Sequence, residues 1–299
     1  MPEPLPDATG QNHVLYFTLD VEPDYARTRQ CALLDRTGEF LAWACDAGLP
    51  VTAFVVGLFF EEGRPVIDTL VDGGAAVELH GYRHAAADFG TMDTPHTAEI
   101  ERGCDAFRRR LGRAPAGYRA PSGIIAHADL QTLARLGFRY DASIFPLCRP
   151  GRYDFSRAPR TPFRWRGLDL LEFPGGLLTS RLPAGMTFIN WFGAGLSRRL
   201  IARAAAGGFV LDAHLHNLFH NPAALRELPF ALRATYQLGR IAGGWTALHR
   251  LVDGLRRAGW TFGSLAHAAL RVPAGALPDI AWNDIVPSAS AVAERSGTA

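Results

Sequence analysis

The 299-residue sequence predicts an α/β fold in a single domain, a parallel sheet with crossover helices whose seven or eight units can close into a (β/α)7-8 barrel. Three observations carry that prediction. Apolar runs of strand length recur along the chain, stretches with helical periodicity separate them, and the alternation continues to about residue 273 without a repeat or low-complexity block. Residues 1–13 read as an N-terminal extension, 14–273 as the barrel and 274–299 as a C-terminal tail, its last ten or so residues small, polar and disordered.

The first strand is VLYFTL (14–19), which ends abruptly in the acidic DVEPD. A helix around 35–47 follows, then a buried strand VTAFVV (51–56), a helix at 64–72, and a third strand AAVEL (75–79) that runs directly into His80. TPHTAEIERGCDAFRRRLG (94–112) reads as an amphipathic helix with Thr94 as N-cap, Pro95 at its first position and Gly112 as terminator. AGYRA (116–120), FRYDAS (138–143), LDLLEF (168–173) and FVLDAHLH (209–216) are the next four strands. A helix at 246–258, a short WTF strand and a helix near 264–270 complete the order. In such a barrel the C-terminal strand ends form the active-site face, and the polar clusters fall there.

Hydrophobic residues make up 48% of the chain and charged residues 20%, the balance of a globular protein with a large core. All 31 basic residues are Arg and the net charge is only +2; no basic stripe interleaved with aromatics marks a nucleic-acid surface, so no nucleic-acid polymer is expected as partner. Cys31, Cys45, Cys104 and Cys148 form no CxxC pair and read as buried, reduced thiols. The N-terminus has no signal-peptide pattern and no run of 18 apolar residues follows, so no transmembrane segment is expected and the location reads as cytoplasmic, with a peripheral membrane association open.

Five clusters carry chemistry. In ELHGYRHAAAD, His80 and His84 would lie on one face if the chain enters a helical turn, and together could bind one divalent ion; Gly81 would let the turn form tightly. In TLDVEPDY, Asp20 and Glu22 are two apart and leave an extended strand on the same side, so one carboxylate can bind a cation and the other act as base on water. Arg119 in GYRAPSG can hold a carboxylate ionised, or pair with Asp141 of YDASIFP to stabilise the fold. Asp141 itself reads as a residue that orients Arg119 or a histidine, or as a plain turn aspartate. In FVLDAHLHN, Asp212, His214 and His216 would share one face of a strand, and either histidine could donate a proton to a departing amine. The aromatic stretch MTFINWFGAGL (186–196) is suited to a lipid or sugar contact, or to the core.

The order DVE, HxxxH, RAPSG, YDAS and HLH after an EFP segment resembles the polysaccharide deacetylase family of carbohydrate esterases (NodB-homology domain). It is most similar to the branch with a DVE-type first motif, which includes exosortase-associated deacetylases. The resemblance runs from about Tyr16 to Leu270. It implies a distorted (β/α) barrel and metal-dependent removal of an N-acetyl group from an amino sugar, with a lipid-linked or nucleotide-linked substrate both open. The cofactor would be one divalent ion, most simply zinc. Carried over, Glu22, His80 and His84 become metal ligands, Asp20 the base, Arg119 and Asp141 the pair that tunes the base, and His216 the general acid. A backbone N–H near Tyr140 or at the metal loop would help hold the oxyanion. The usual motif has adjacent aspartates, whereas Val21 separates Asp20 from Glu22 here, so their roles are exchangeable; His214 likewise competes with His216. DVE-like relatives that hydrolyse small ureides or cyclic imides, some without metal, make that activity the alternative.

Overall fold

The computed structural model describes residues 13–26, 28–84, 90–204, 208–273 and 275–286. Ten strands form the main sheet: β1 (Val14–Val21), β2 (Thr52–Val55), β3 (Ala76–Leu79), β4 (Gly117–Tyr118), β5 (Tyr140–Asp141), β6 (Phe163–Trp165), β7 (Leu171–Glu172), β8 (Gly208–His214), β9 (Thr261–Gly263) and β10 (Asp279–Ile280). Their order is β8-β1-β2-β3-β4-β5-β7-β6-β10, with β9 also on β1. Every pairing is parallel except β6 with β7. Beyond β7 the chain returns to β8 through the isolated parallel bridges Gly175 to Val210 and Gly185 to Asp212, which join the two ends of the curl into a distorted barrel. The result is a single α/β domain.

Strand parity divides the core in two. On β1, Leu15, Phe17, Leu19 and Val21 pack outward against the helices, whereas Val14 and Tyr16 turn inward with Phe54, Tyr140 and Val210. The inner apolar set is closed from below by Leu265, Ala266 and Ala269 of the helix Leu265–Arg271. Each such large buried side chain contributes about 1.5–3 kcal/mol. Above that plug the inward positions become polar, because Thr18, Asp20, His80, Arg119 and Asp212 continue the same inward columns toward the strand ends.

Several boundaries differ from the sequence expectations. The helix expected from Thr94 spans Thr97–Leu111, with His96 in the N-cap position and Pro95 outside it, while Gly112 ends it in the left-handed region at φ 67°. The helix expected at 35–47 is a 3-10 turn Ala32–Arg36 followed by a helix Thr37–Asp46. Residues 275–286, expected in the tail, contain β10, which pairs with Arg164 and Trp165 because Trp282 packs on Trp165. Residues 1–12 of the expected extension and 287–299 of the expected tail lie outside the described residues. Of the cysteines, Cys104 alone is buried, Cys31 is half-buried, and Cys45 and Cys148 are exposed; all four are free. No helix among the described residues is long and apolar enough to cross a membrane.

Candidate metal and acid-base centre

Helix Thr97–Leu111 presents Ile100, Gly103, Cys104 and Phe107 to the core, the spacing of an amphipathic helix. Gly103 permits a close approach. A Cβ there would meet the Gly81 carbonyl oxygen at 2.8 Å, and one on Gly57 would meet Gly103 Cα at 2.7 Å. Gly57 N donates to Gly81 O (2.9 Å) and Leu58 N to Tyr82 O (2.9 Å), which fixes the turn between His80 and His84. That turn is not helical, contrary to expectation; Gly81 adopts φ 62°, and the chain doubles back against Pro121 to bring both imidazoles to one place.

Three side chains converge there. His84 Nε2 lies 2.9 Å from Glu22 Oε2, and His80 Nε2 lies 3.8 Å from the same oxygen. Ligand atoms of Glu22, His80 and His84 all fall within 4.8 Å of one another. His80 Nδ1 is 2.9 Å from the Arg119 carbonyl oxygen, which can only accept, so Nδ1 carries a proton and Nε2 presents a lone pair. That Nε2 is buried without a hydrogen-bond partner. A lone pair aimed at carboxylates needs a proton or a cation between them, and the donor set of two imidazoles and a carboxylate suits a first-row divalent ion. Burial alone would raise the Glu22 carboxyl, but His84, His214 and His80 outweigh it and hold it well below its ordinary range. Burial opposes a charge on His80, yet Asp20 and Glu22 prevail and raise it.

Arg119, only 1% exposed, anchors the adjacent cluster. Its Nη1 donates to Asp20 Oδ1 (2.9 Å), Asp212 Oδ1 (3.0 Å) and Thr18 Oγ1 (2.8 Å), and its Nε to Ala142 O (3.1 Å). The guanidinium also stacks 4.4 Å above the Phe54 ring. Asp20, Asp212 and His214 form a second group with ligand atoms within 4.8 Å. In this second group both carboxylates already accept from the one guanidinium.

Asp141 is not brought to Arg119. The register sets Gly117 opposite Tyr140 and Tyr118 opposite Asp141, so Arg119 falls level with Ala142 and Asp141 points outward with Tyr118. There Asp141 accepts from Ser143 Oγ at 2.5 Å and sits beside Glu172, its partner on β7, while Ser143 Oγ accepts from Ala120 N. Burial pushes Asp141 up to about 6, and burial beside Asp141 pushes Glu172 well up. Asp212 occupies the place that the sequence expectation gave to Asp141. Its inward parity with His214 was the available signal.

The two late histidines separate. β8 ends at His214, and His216 lies in the helical turn Leu215–Leu218, so they do not share a strand face as expected. His214 Nε2 is 3.5 Å from Glu22 Oε1 and 3.7 Å from Asp20 Oδ2. Asn217 Oδ1 faces His214 Nδ1 at 3.2 Å, and Asn217 is in turn held by Thr187 and Asn190. Burial opposes the His214 charge, but Asp212, Glu22 and Asp20 outweigh it and raise it to about 9. His216 stacks on His214 and packs at a tilt against Tyr25, and its Nδ1 accepts the Tyr25 N–H at 3.1 Å. Burial, and then the neighbouring His214 charge, push it down to about 3. Tyr25 and Ala26 each hold φ 58°, a strained conformation that aims this N–H at the imidazole.

Asp20, Glu22, His84, Arg119, Asp212, His214 and His216 line one cleft of about 470 Å³. Phe145, Leu147, Arg149, Arg181, Phe188 and Tyr236 complete its lining.

A family model described as polysaccharide deacetylase matches residues 7–140. A peptidoglycan deacetylase-like protein of Gibberella zeae is 36% identical over 95 residues, which is 31% of this chain; the match spans 28% of that relative's length. Among solved structures, Puue allantoinase superposes with a TM-score of 0.57 at 14% identity, over 90% of this chain and 93% of that one. A CE4 family pseudoenzyme from Bacillus anthracis gives 0.51 at 11%, over 87% of this chain and 68% of that one. At these identities the solved structures share the fold alone.

Proposed function

We propose, from the support that the match over residues 7–140 gives to the polysaccharide deacetylase family, that the chain hydrolyses the N-acetyl amide of an amino sugar with a divalent ion held by Glu22, His80 and His84. The observation that carries this reading is the lone pair of His80 Nε2, buried and aimed at two carboxylates beside His84. Bound there, a divalent ion such as zinc supplies Lewis acidity to the amide carbonyl and lowers the pKa of water.

Asp20 is the base. Arg119 binds it at Oδ1 and leaves Oδ2, 3.7 Å from His80 Nε2, to accept the proton of the attacking water. His214 is the proton donor to the leaving amine, in preference to His216: it carries the raised imidazole beside the carboxylates, whereas His216 is neutral and already accepts from Tyr25 at Nδ1. Asp212 steadies both Arg119 and the His214 charge. The Asp20-Val21-Glu22 order further supports the DVE-type branch, and the substrate is a sugar conjugate, lipid-linked or nucleotide-linked.

Acetate release from N-acetylhexosamine conjugates by the metal-loaded protein tests the reading. Turnover should vanish on chelation and in Asp20→Asn. Cleavage of small ureides alone, unaffected by chelation, would favour the amidohydrolase alternative, and no amide turnover at all on either panel would place the chain with pseudoenzymes.

A further inference from the structure

Beyond the catalytic cleft, the surface beside its mouth has its own chemistry. Three of the five exposed large hydrophobic side chains among the described residues sit on two helices, Trp191 (43% exposed) and Leu196 (48%) on either side of a kink at Gly193 in Met186–Ala204, and Phe230 (76%) on Phe230–Ala242. These helices are joined where Trp191 Nε1 donates to the Thr235 carbonyl at 3.2 Å. Each also lends side chains to the cleft wall, Thr187 and Phe188 from the first and Leu232 and Tyr236 from the second.

The charge of this region is one-sided. Between residues 181 and 250 the sequence has eight arginines against two acids, in a chain whose net charge is only +2. Of the two acids, Asp212 is bonded to Arg119 and Glu227 is engaged by Gln30. Arg199, Arg203 and Arg226 are exposed, and none of them lies within ion-pair distance of a carboxylate among the described residues. Arg233 lies over the Phe230 ring, its charge beside an apolar group that water surrounds.

We propose that the face formed by these two helices docks on an anionic phospholipid surface and sets the cleft mouth against the membrane. Exposed aromatic and aliphatic groups flanked by unpaired cations are the two components of interfacial binding: the apolar side chains enter the acyl boundary and the arginines meet the headgroup phosphates. A soluble polyanion would use the arginines and leave Leu196 and Phe230 in water, whereas a lipid surface uses both. The docking face stands independently of the reaction. Its consequence for substrate, access to a lipid-linked amino sugar, rests on the proposed function.

The full chain is sedimented with vesicles of phosphatidylcholine plus phosphatidylglycerol, and with phosphatidylcholine alone. The anionic vesicles should bind at least about tenfold more tightly, with affinity falling as salt rises. Arg199→Glu combined with Arg203→Glu should lose more than about tenfold, and Phe230→Ser several-fold, while circular dichroism and acetate release from a water-soluble conjugate stay unchanged. Equal binding to both vesicles overturns the proposal, as does retention by both variants. So does heparin binding that matches vesicle binding and ignores Phe230→Ser, or a dimer lost in Phe230→Ser with no vesicle binding. Vesicle binding without acetate release in the parent chain defeats only the catalytic reading; acetate release without vesicle binding defeats only the docking face.

Discussion

His80 Nδ1 donates to the carbonyl oxygen of Arg119 across 2.9 Å, so the residue that grips Asp20 through its side chain also sets the tautomer of a candidate cation ligand through its backbone. Candidate base and candidate ligand are thereby coupled across neighbouring strands β3 and β4.

That coupling gives the first expectation. Arg119→Met leaves Asp20 and Asp212 facing one another without the cation between them, and removing one partner of a buried ion pair costs about 3–5 kcal/mol. Urea unfolding should show that loss, and amide turnover should fall by more than about 100-fold. A variant as stable as the parent would mean that the carboxylates are neutral in the folded state.

Strand parity yields a second. Asp212→Asn should lower kcat by about 10–100-fold, because it removes a charge bonded to Arg119 and beside His214. Asp141→Asn should leave kcat within about threefold, since Asn keeps an acceptor for Ser143 on the outward face. Reversal of this ranking in steady-state kinetics would contradict the register.

For the cation, metal analysis of the protein loaded with zinc and then desalted should find about one ion per chain. His80→Ala and His84→Ala should each reduce it below half, and calorimetry should show a lower Tm for the parent after chelation. Full occupancy in both variants would move the site to the group around Asp212.

His214 and His216 are separated by pH. With the His214 imidazole raised to about 9, a protonated donor is present below that value and lost as pH rises through it, though a bound cation lowers the limb. His214→Gln should reduce kcat by about 100-fold or more and flatten the alkaline limb. His216→Gln should retain the limb, because this imidazole is already neutral.

Glu78 gives a stability measurement away from the cleft. Burial raises its carboxyl to about 7 although its Oε2 accepts from Ala116 N and Gly117 N at 2.8 Å each. The folded value lies above the unfolded one, so this contribution is complete below the ordinary carboxylate range and is lost as pH rises through about 7. Glu78→Gln keeps an acceptor and carries no charge. Urea midpoints of parent and variant should therefore converge near about pH 4 and favour the variant above about pH 8.

The strand-helix alternation was legible because strand ends coincide with chemical punctuation: VLYFTL gives way to Asp20 and Glu22, and AAVEL to His80. The positions of Asp20, Glu22, His80, His84 and Arg119 at one barrel mouth followed from that pattern. What did not follow depended on register and turn geometry. Asp141 sits one residue out of phase with Arg119, a difference that single-strand patterns do not encode. The turn at Gly81 replaced an expected helical one because a carbonyl contact with Gly57 and the packing of Pro121 govern it, and both partners are distant in sequence. His216 left the strand face because β8 stops two residues earlier, at a turn capped by Asn217.

The closure through Gly175 and Gly185 has a further meaning. All five groups of the candidate cation and base cluster, from Asp20 to Arg119, stand on β1, β3 and β4 or the turns that follow them, in the sheet where β1, β2 and β3 pair over four residues each. Other parts of the cleft lining, with Phe145, Arg149 and Arg181, come from the stretch between β5 and β8, which meets β8 through isolated bridges. Such a joint tolerates insertion and local opening more readily than a ladder does. Changes in the ligand that the cleft accepts can thus accumulate along one edge without disturbing the ligating atoms on the other, a mechanical separation that lets selectivity vary while reactivity is preserved.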